Sequence, residues 1–219
     1  MSVRLPSALT LLLASLALPA TAGDAHFTDE AAFAAAAGSL SIEGFESFAP
    51  IVRSSAAVLA PRFTLSALSA GIGIQDGPDS PSTGFGGVAT DGTHWVSVYL
   101  PGQAPGTLRF DLQAGSRAFG LNLSDLGETD GTVSLSTDVG AFAGGVTLLS
   151  YPPTQGEGVV QFVGLTQAQA FRHVYLTVTG IDEAYGIDRV QLAAVAEPAP
   201  AAMAAAGLLL LALARRRRG

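Results

Sequence analysis

The sequence predicts an all-β fold, an antiparallel two-sheet β-sandwich of jelly-roll type carrying one short N-terminal helix. Three observations lead there. Apolar and polar residues alternate in run after run, as in Leu108, Phe110 and Leu112 or Val174, Leu176 and Val178, which is the period of a half-buried strand. Gly, Pro, Asp and Asn punctuate these runs at short intervals, so the connections are turns. No helical pattern is long enough to cross over between parallel strands, which excludes an alternating α/β architecture.

The first segment stands apart from that body. Arg4 supplies a positive start, Ala8 to Leu18 is an apolar run too short to span a bilayer, and Ala20-Thr21-Ala22 has the small-x-small pattern of a signal peptidase site. Residues 1–22 are read as a signal peptide cleaved after Ala22, with the body at 23–195 and a separate tail at 196–219. Next, Thr28 to Ala37 combines a capping threonine, early acids, many alanines and a stop at Gly38, predicting a helix. The strands follow: SIEGFESF, RFTLSAL, HWVSVYL, TLRFDL, FGLNLSDL, TVSLST, VTLLSY, VVQFVGL, RHVYLTVT and GIDRVQLA. Gly71 to Gly92, rich in Gly, Pro and Asp, is expected to be a long surface loop. No fixed-period repeat is present, which argues against a propeller or solenoid.

Composition narrows the function classes. The 219 residues include no cysteine, so no disulfide framework and no thiol nucleophile exist. Arg4 and Arg215 to Arg218 take five of the 11 basic residues, leaving the body six arginines against nearly all of the 18 acidic residues. An acidic body lacks the electrostatic footprint of a nucleic-acid binder. No G-x-S-x-G, H-E-x-x-H, P-loop or complete G-x-G-x-x-G occurs, so no enzyme class is indicated and a hydrolase ranks last. The histidines His94 and His173 lie in or beside strands and read as surface or edge residues. Asp125 to Gly131 (DLGETDG) lacks the D-x-D-x-D-G spacing of a calcium loop and reads as a connection between strands.

Two pairs of residues are candidates for binding. Strict alternation puts Asp188 on the face of Val190 and Leu192, and Glu46 on the face of Ile42 and Phe48. A partly buried carboxylate must be paired, hydrogen-bonded, protonated or metal-bound. Both a metal role and simple acceptance of turn N–H groups stay open for Asp188, as do pairing with an arginine or exposure for Glu46. Trp95 and Tyr99 are four apart in one strand, about 13 Å along it, and face away from Val96 and Val98. They are candidates for stacking on sugar rings, with ordinary packing the alternative.

The stretches HFTDEAAFAAAAGSLSIEGFESF, RAFGLNLSDLG, VVQFVGL and AYGIDRVQLA, in that order, resemble a large family of exported bacterial β-sandwich proteins over roughly Phe27 to Val195. Similar jelly-roll modules include galactose-binding-like carbohydrate-binding domains. In those, an N-terminal Glu and a C-terminal Asp contribute to a structural calcium site, and Glu46 and Asp188 match these places in order. The resemblance thus implies structural calcium as the one candidate cofactor and polysaccharide as a candidate partner.

The tail resembles a PEP-CTERM sorting signal. Glu197-Pro198-Ala199-Pro200 is followed by an apolar stretch from Ala201 to Ala214 and by Arg215, Arg216, Arg217 and Arg218, with Ala196 standing where the first proline of the usual motif belongs. The resemblance implies an exosortase-like protease as processing partner and an exopolysaccharide-producing Gram-negative source. As a helix, Ala201 to Ala214 rises about 21 Å against a hydrocarbon core of about 30 Å, a marginal span suited to transient retention in the inner membrane. The arginines stay cytoplasmic and the body periplasmic until processing sends it to the cell surface or outside. A permanent anchor is the alternative. The leading expectation is therefore a non-enzymatic exported surface or matrix protein, and the second a carbohydrate-binding module.

Overall fold

The computed structural model describes residues 23–49, 51–54, 57–68, 71–76, 87–99, 105–126, 130–152, 159–180 and 184–194. The expected signal peptide with Ala20 and Ala22, and the expected sorting tail with Glu197, Pro198 and Arg215 to Arg218, lie outside them. Among the described residues no helix is long and apolar enough to cross a membrane.

Twelve strands and one helix follow in chain order: β1 (Ala25–Phe27), α1 (Glu30–Ala37), β2 (Ser41–Glu43), β3 (Ile51–Ser54), β4 (Val58–Leu59), β5 (Phe63–Ala67), β6 (Gly71–Asp76), β7 (His94–Tyr99), β8 (Gly106–Ser124), β9 (Gly131–Thr137), β10 (Val146–Tyr151), β11 (Val160–Val178) and β12 (Ala184–Ala194). All pairing is antiparallel. The expected stretches TLRFDL and FGLNLSDL are one strand, β8, and VVQFVGL and RHVYLTVT are likewise one strand, β11.

These two 19-residue strands build both layers. The first half of β8 pairs with β5, and the second half of β11 with β9, giving a first sheet ordered β10-β9-β11-β8-β5-β4. The other halves pair with β12 and β1, giving a second sheet ordered β1-β11-β8-β12-β7-β6-β3, with β2 beside the end of β12. The register of the pair slips between Thr166 and His173, opposite Asp111 to Ala118. Side-chain parity changes there. In β8 the core residues are Leu108, Phe110 and Leu112 before the slip, then Phe119, Leu121 and Leu123 after it. A bulge adds the one residue that turns a strand's apolar face from one layer to the other while keeping it on a common core.

That core runs between the layers. Phe45, Phe63, Phe110 and Phe119 form a chain of rings with centroids 6.3, 5.5 and 4.9 Å apart. Each buried ring contributes about 1.5–3 kcal/mol by leaving water, with edge-on contacts adding to that.

The outer face of the second sheet is covered. Helix α1 is capped by Asp29, whose carboxylate accepts the Ala32 N–H at 2.7 Å, one residue later than the expected Thr28. It lays Phe33 on Ala118, Phe162 and Ala193. Gly120 and Gly164 are paired beneath it, and a Cβ on either would lie within 3.0 Å of the Phe162 or Phe33 ring, so only glycine lets the helix seat. The expected loop from Gly71 to Gly92 is corrected. Its first six residues are β6, hydrogen-bonded between β3 and β7, and its last ones form a strap over the second sheet.

Candidate functional site

The outer faces of the two sheets differ in what covers them. On the second sheet, Gly87 to Thr93 crosses over β7, β12 and β8 and is tied down by the two carboxylates singled out in the sequence. Asp188 Oδ2 accepts the backbone N–H groups of Thr90 at 2.5 Å and Asp91 at 2.8 Å and the Thr90 hydroxyl at 3.0 Å, while Oδ1 accepts the Arg189 N–H at 2.6 Å. Glu46 Oε1 accepts the N–H groups of Thr93 at 2.7 Å and His94 at 2.6 Å. Its Oε2 lies 3.3 Å from the His94 ring nitrogen Nδ1. Asn122 and Ser124 of β8 add bonds to Thr90 and to Val88.

Asp188 does not share the face of Val190 and Leu192. Arg189 takes a positive φ of 49°, and between Asp188 and Gln191 the strand carries one residue more than its partner β8, from Asn122 to Gly120. This bulge leaves Tyr185, Ile187, Val190 and Leu192 in the core and turns Asp188 to the outer side, under the strap. Glu46 lies beyond β2 in a turn where Phe45 has a φ of 61°, so alternation from Ile42 does not extend to it. Ile42 is 48% exposed.

Burial raises the Asp188 pKa, and the N–H bonds of Thr90, Arg189 and Asp91 oppose that rise. The backbone N–H of His94, with that of Thr93, lowers the Glu46 pKa to about 2. Turn N–H groups, the alternative to calcium, are the partners the structure gives these two carboxylates. N–H groups converge on both and supply the positive partial charge a cation would supply, leaving Asp188 Oδ2 with three donors. Among the described residues no three His, Cys, Asp or Glu side chains gather as metal ligands.

Trp95 lies on this outer face, while Val96 and Val98 are in the core. The strap closes over it. Trp95 is 1% exposed, and a Cβ on Gly87 would come within 2.3 Å of its Cη2. Its ring is packing, so the expected pair of stacking rings is not available in this arrangement; Tyr99 is 36% exposed.

The outer face of the first sheet carries no described helix or strap. Registers line its polar residues in rows. Thr64 of β5 faces Asp111 of β8, which faces His173 of β11. Ser66 faces Arg109, which faces Tyr175, which faces Ser136 of β9. Thr107 faces Thr177, which faces Ser134, which faces Thr147 of β10. From β5 to β9 this is roughly 14 Å across, at ordinary strand spacing. Arg109 places Nε and Nη2 at 2.9 and 2.6 Å from Asp111 Oδ2, and His173 Nδ1 lies 2.5 Å from Asp111 Oδ1. Asp138, at the end of β9, accepts the N–H groups of Arg172 and His173 at 3.0 and 3.1 Å.

Burial works to raise the Asp111 pKa, but Arg109 and His173 outweigh it and hold the carboxyl below its usual range. Asp111 in turn raises Arg109. Tyr175, half-buried, is the aromatic side chain in the middle of this face. These residues were legible as a polar stripe, since Arg109 and Asp111 alternate with Leu108, Phe110 and Leu112, and His173 and Tyr175 with Val174 and Leu176. Their meeting was not, because it needs the β8–β11 register. The His173–Asp111 dyad has the orienting half of a charge-relay triad, but among the described residues no hydroxyl is hydrogen-bonded to His173 Nε2.

A third feature is a cleft of about 280 Å³ at the corner between the sheets, lined by Pro61, Arg62, Gln113, Ala114, Ser116 and Leu192. The Ser116 hydroxyl is already within hydrogen-bond reach of the carbonyls of Ala118 and Ala193, so the floor offers no free polar group from that residue.

No protein-family model matches the chain, and no curated protein matches it. Solved structures similar in fold include the K2 cleaved adhesin domain of Lys-gingipain, at 10% identity and a TM-score of 0.42, covering 70% of this chain and 97% of that one. A family 29 carbohydrate-binding module matches at 9% identity and a TM-score of 0.39 over 70% of this chain and 91% of its own. TmCBM61, solved in complex with β-1,4-galactotriose, matches at 16% identity and a TM-score of 0.34 over 61% and 88%. These likenesses are too distant to give any residue of this chain a role.

Proposed function

We propose that this is a non-enzymatic exported protein of the cell surface or extracellular matrix whose sandwich holds polysaccharide on the outer face of its first sheet. The observation that carries the reading is that face itself: rows of hydroxyls around an aromatic ring and an oriented Arg–Asp–His cluster, on the side of the sandwich that no described element covers. Hydroxyl and guanidinium groups match the hydrogen-bonding edges of a sugar, and an aromatic ring matches its apolar C–H face. Binding on a rigid sheet costs little ordering, which suits a weak but repeated contact along a polymer.

Delivery follows from the PEP-CTERM-like tail. Glu197 and Pro198 mark the processing site for an exosortase-like protease, and the apolar segment with Arg215 to Arg218 retains the protein in the inner membrane until then. Screening the exported protein and a Tyr175→Ala variant against immobilised glycans tests the binding half. Loss of binding in the variant, with an unchanged melting temperature, supports the reading, and equal binding by both sinks the assignment of this face. The intact mass of the exported protein tests the other half: an end near Glu197 supports tag removal, and retention of Arg218 supports permanent anchoring.

A further inference from the structure

We infer that the open face selects neutral polysaccharide over acidic polysaccharide, and that Asp111 sets this selectivity by occupying Arg109. The inference rests on the glycan-binding reading above and adds the charge class of the ligand. Arg109 is the cation at the centre of the face, and a guanidinium there is the natural partner for the carboxylate of a uronic acid or for a sulfate. It is already engaged. Two of its nitrogens converge on Asp111 Oδ2 at 2.9 and 2.6 Å, and the other oxygen of Asp111 is within 2.5 Å of His173 Nδ1.

The remaining titratable and charged groups facing this cluster do not reverse that balance. On β11, His173 is held by Asp111, Tyr175 is a phenol and the exposed Arg172 stands beside Asp138, whose carboxylate offsets its charge, while β5 contributes only Thr64 and Ser66. From the turn after β9 comes Asp138, a second carboxylate, accepting the N–H groups of Arg172 and His173. An acidic sugar must therefore displace Asp111 from its partner and approach Asp138 as well. Beyond the face lies a body in which the acidic residues heavily outnumber the six arginines, so a polyanion is repelled before contact at low salt.

A neutral sugar meets none of these penalties. It needs donors and acceptors without net charge, and the face offers Arg109 Nη1, which carries no bond to Asp111, together with the hydroxyls of Thr64, Ser66 and Ser136. Tyr175, level with Arg109 and Ser136 in one row, supplies the apolar contact.

The test is affinity electrophoresis of the protein through gels containing neutral polymers, a galactan and a β-glucan, or acidic ones, alginate and polygalacturonate, at low and at moderate salt. Retardation by at least one neutral polymer, with salt-independent affinity at least tenfold above that for either acidic polymer, is the expected result. Asp111→Ala frees Arg109, and the variant gains at least fivefold in affinity for the acidic polymers. Asp111→Asn serves as a second variant, with its melting temperature confirming that the sheet is intact. Stronger, salt-sensitive retardation of the wild-type protein by the acidic polymers overturns the selectivity and leaves glycan binding standing. Retardation by no polymer overturns both.

Discussion

Replacing Asp188 by alanine removes the acceptor for three backbone N–H groups, those of Thr90, Asp91 and Arg189, and for the Thr90 hydroxyl. An orphaned buried donor costs about 1–3 kcal/mol, but the three share one site and do not add independently. Burial also holds the ionised carboxylate at a disadvantage, so deleting the charge returns part of the loss. The expected net destabilisation is about 3 kcal/mol. Asparagine keeps one acceptor oxygen at the Oδ2 position and turns an NH₂ toward Arg189 N–H, so Asp188→Asn is expected to cost about 1 kcal/mol. The chain has a single tryptophan, Trp95, beneath the same strap. Equilibrium urea unfolding can therefore be followed twice, by circular dichroism for the sandwich and by Trp95 emission for the strap. In the alanine variant the native emission should shift to the red, and its transition should precede the loss of sheet. A destabilisation below 1 kcal/mol, or an asparagine variant worse than the alanine one, refutes the reasoning that these N–H bonds hold the strap.

Gly87→Ala should also open the strap, because its Cβ would lie 2.3 Å from the Trp95 ring; an expected loss of about 1–3 kcal/mol with a red-shifted emission is read in the same unfolding experiment. The two carboxylates should respond to pH with opposite sign. The Glu46 pKa falls from 4.5 unfolded to about 2 folded, so its contribution is present above 4.5 and lost as pH falls toward 2, and Glu46→Gln should flatten stability across that window. The Asp188 pKa rises on folding from 3.8, so its contribution is full below that value and declines as pH climbs through the raised one, a decline that Asp188→Asn should abolish. A melting temperature unchanged by EGTA is expected from the N–H groups that already meet Asp188 and Glu46 Oε1, and a drop of several degrees would favour the calcium reading.

Alternation alone located most of the strands, since each reads inward and outward residues at period two. It failed wherever a residue was inserted. TLRFDL and FGLNLSDL look like separate strands because the core parity changes from Leu112 to Phe119, although the backbone runs on without a turn. The same event at Arg189 moved Asp188 from the expected apolar face to the strap side. Bulges leave little local trace; Gly115 near one was the only hint, and Arg189 gave none. Glu46 and Asp188 were legible as unusual carboxylates, but the strap N–H groups they hold lie 47 or more positions away in sequence, and such groups are carried by every residue type except proline. Tyr175 and Arg109 were legible as outward residues, and only the pairing of β8 with β11 makes them neighbours.

The position of β12 bears on how such a protein would take a load. The strand β12 ends at Ala194 and is not an edge, being clasped by β8 on one side and by β7 and β2 on the other. Tension applied through that end draws β12 lengthwise against both neighbours, so many hydrogen bonds must shear together instead of parting one by one as they would when an outermost strand is peeled away. Under such a load the sandwich is expected to yield by collective shear, at a higher force than a strand peeled from its edge.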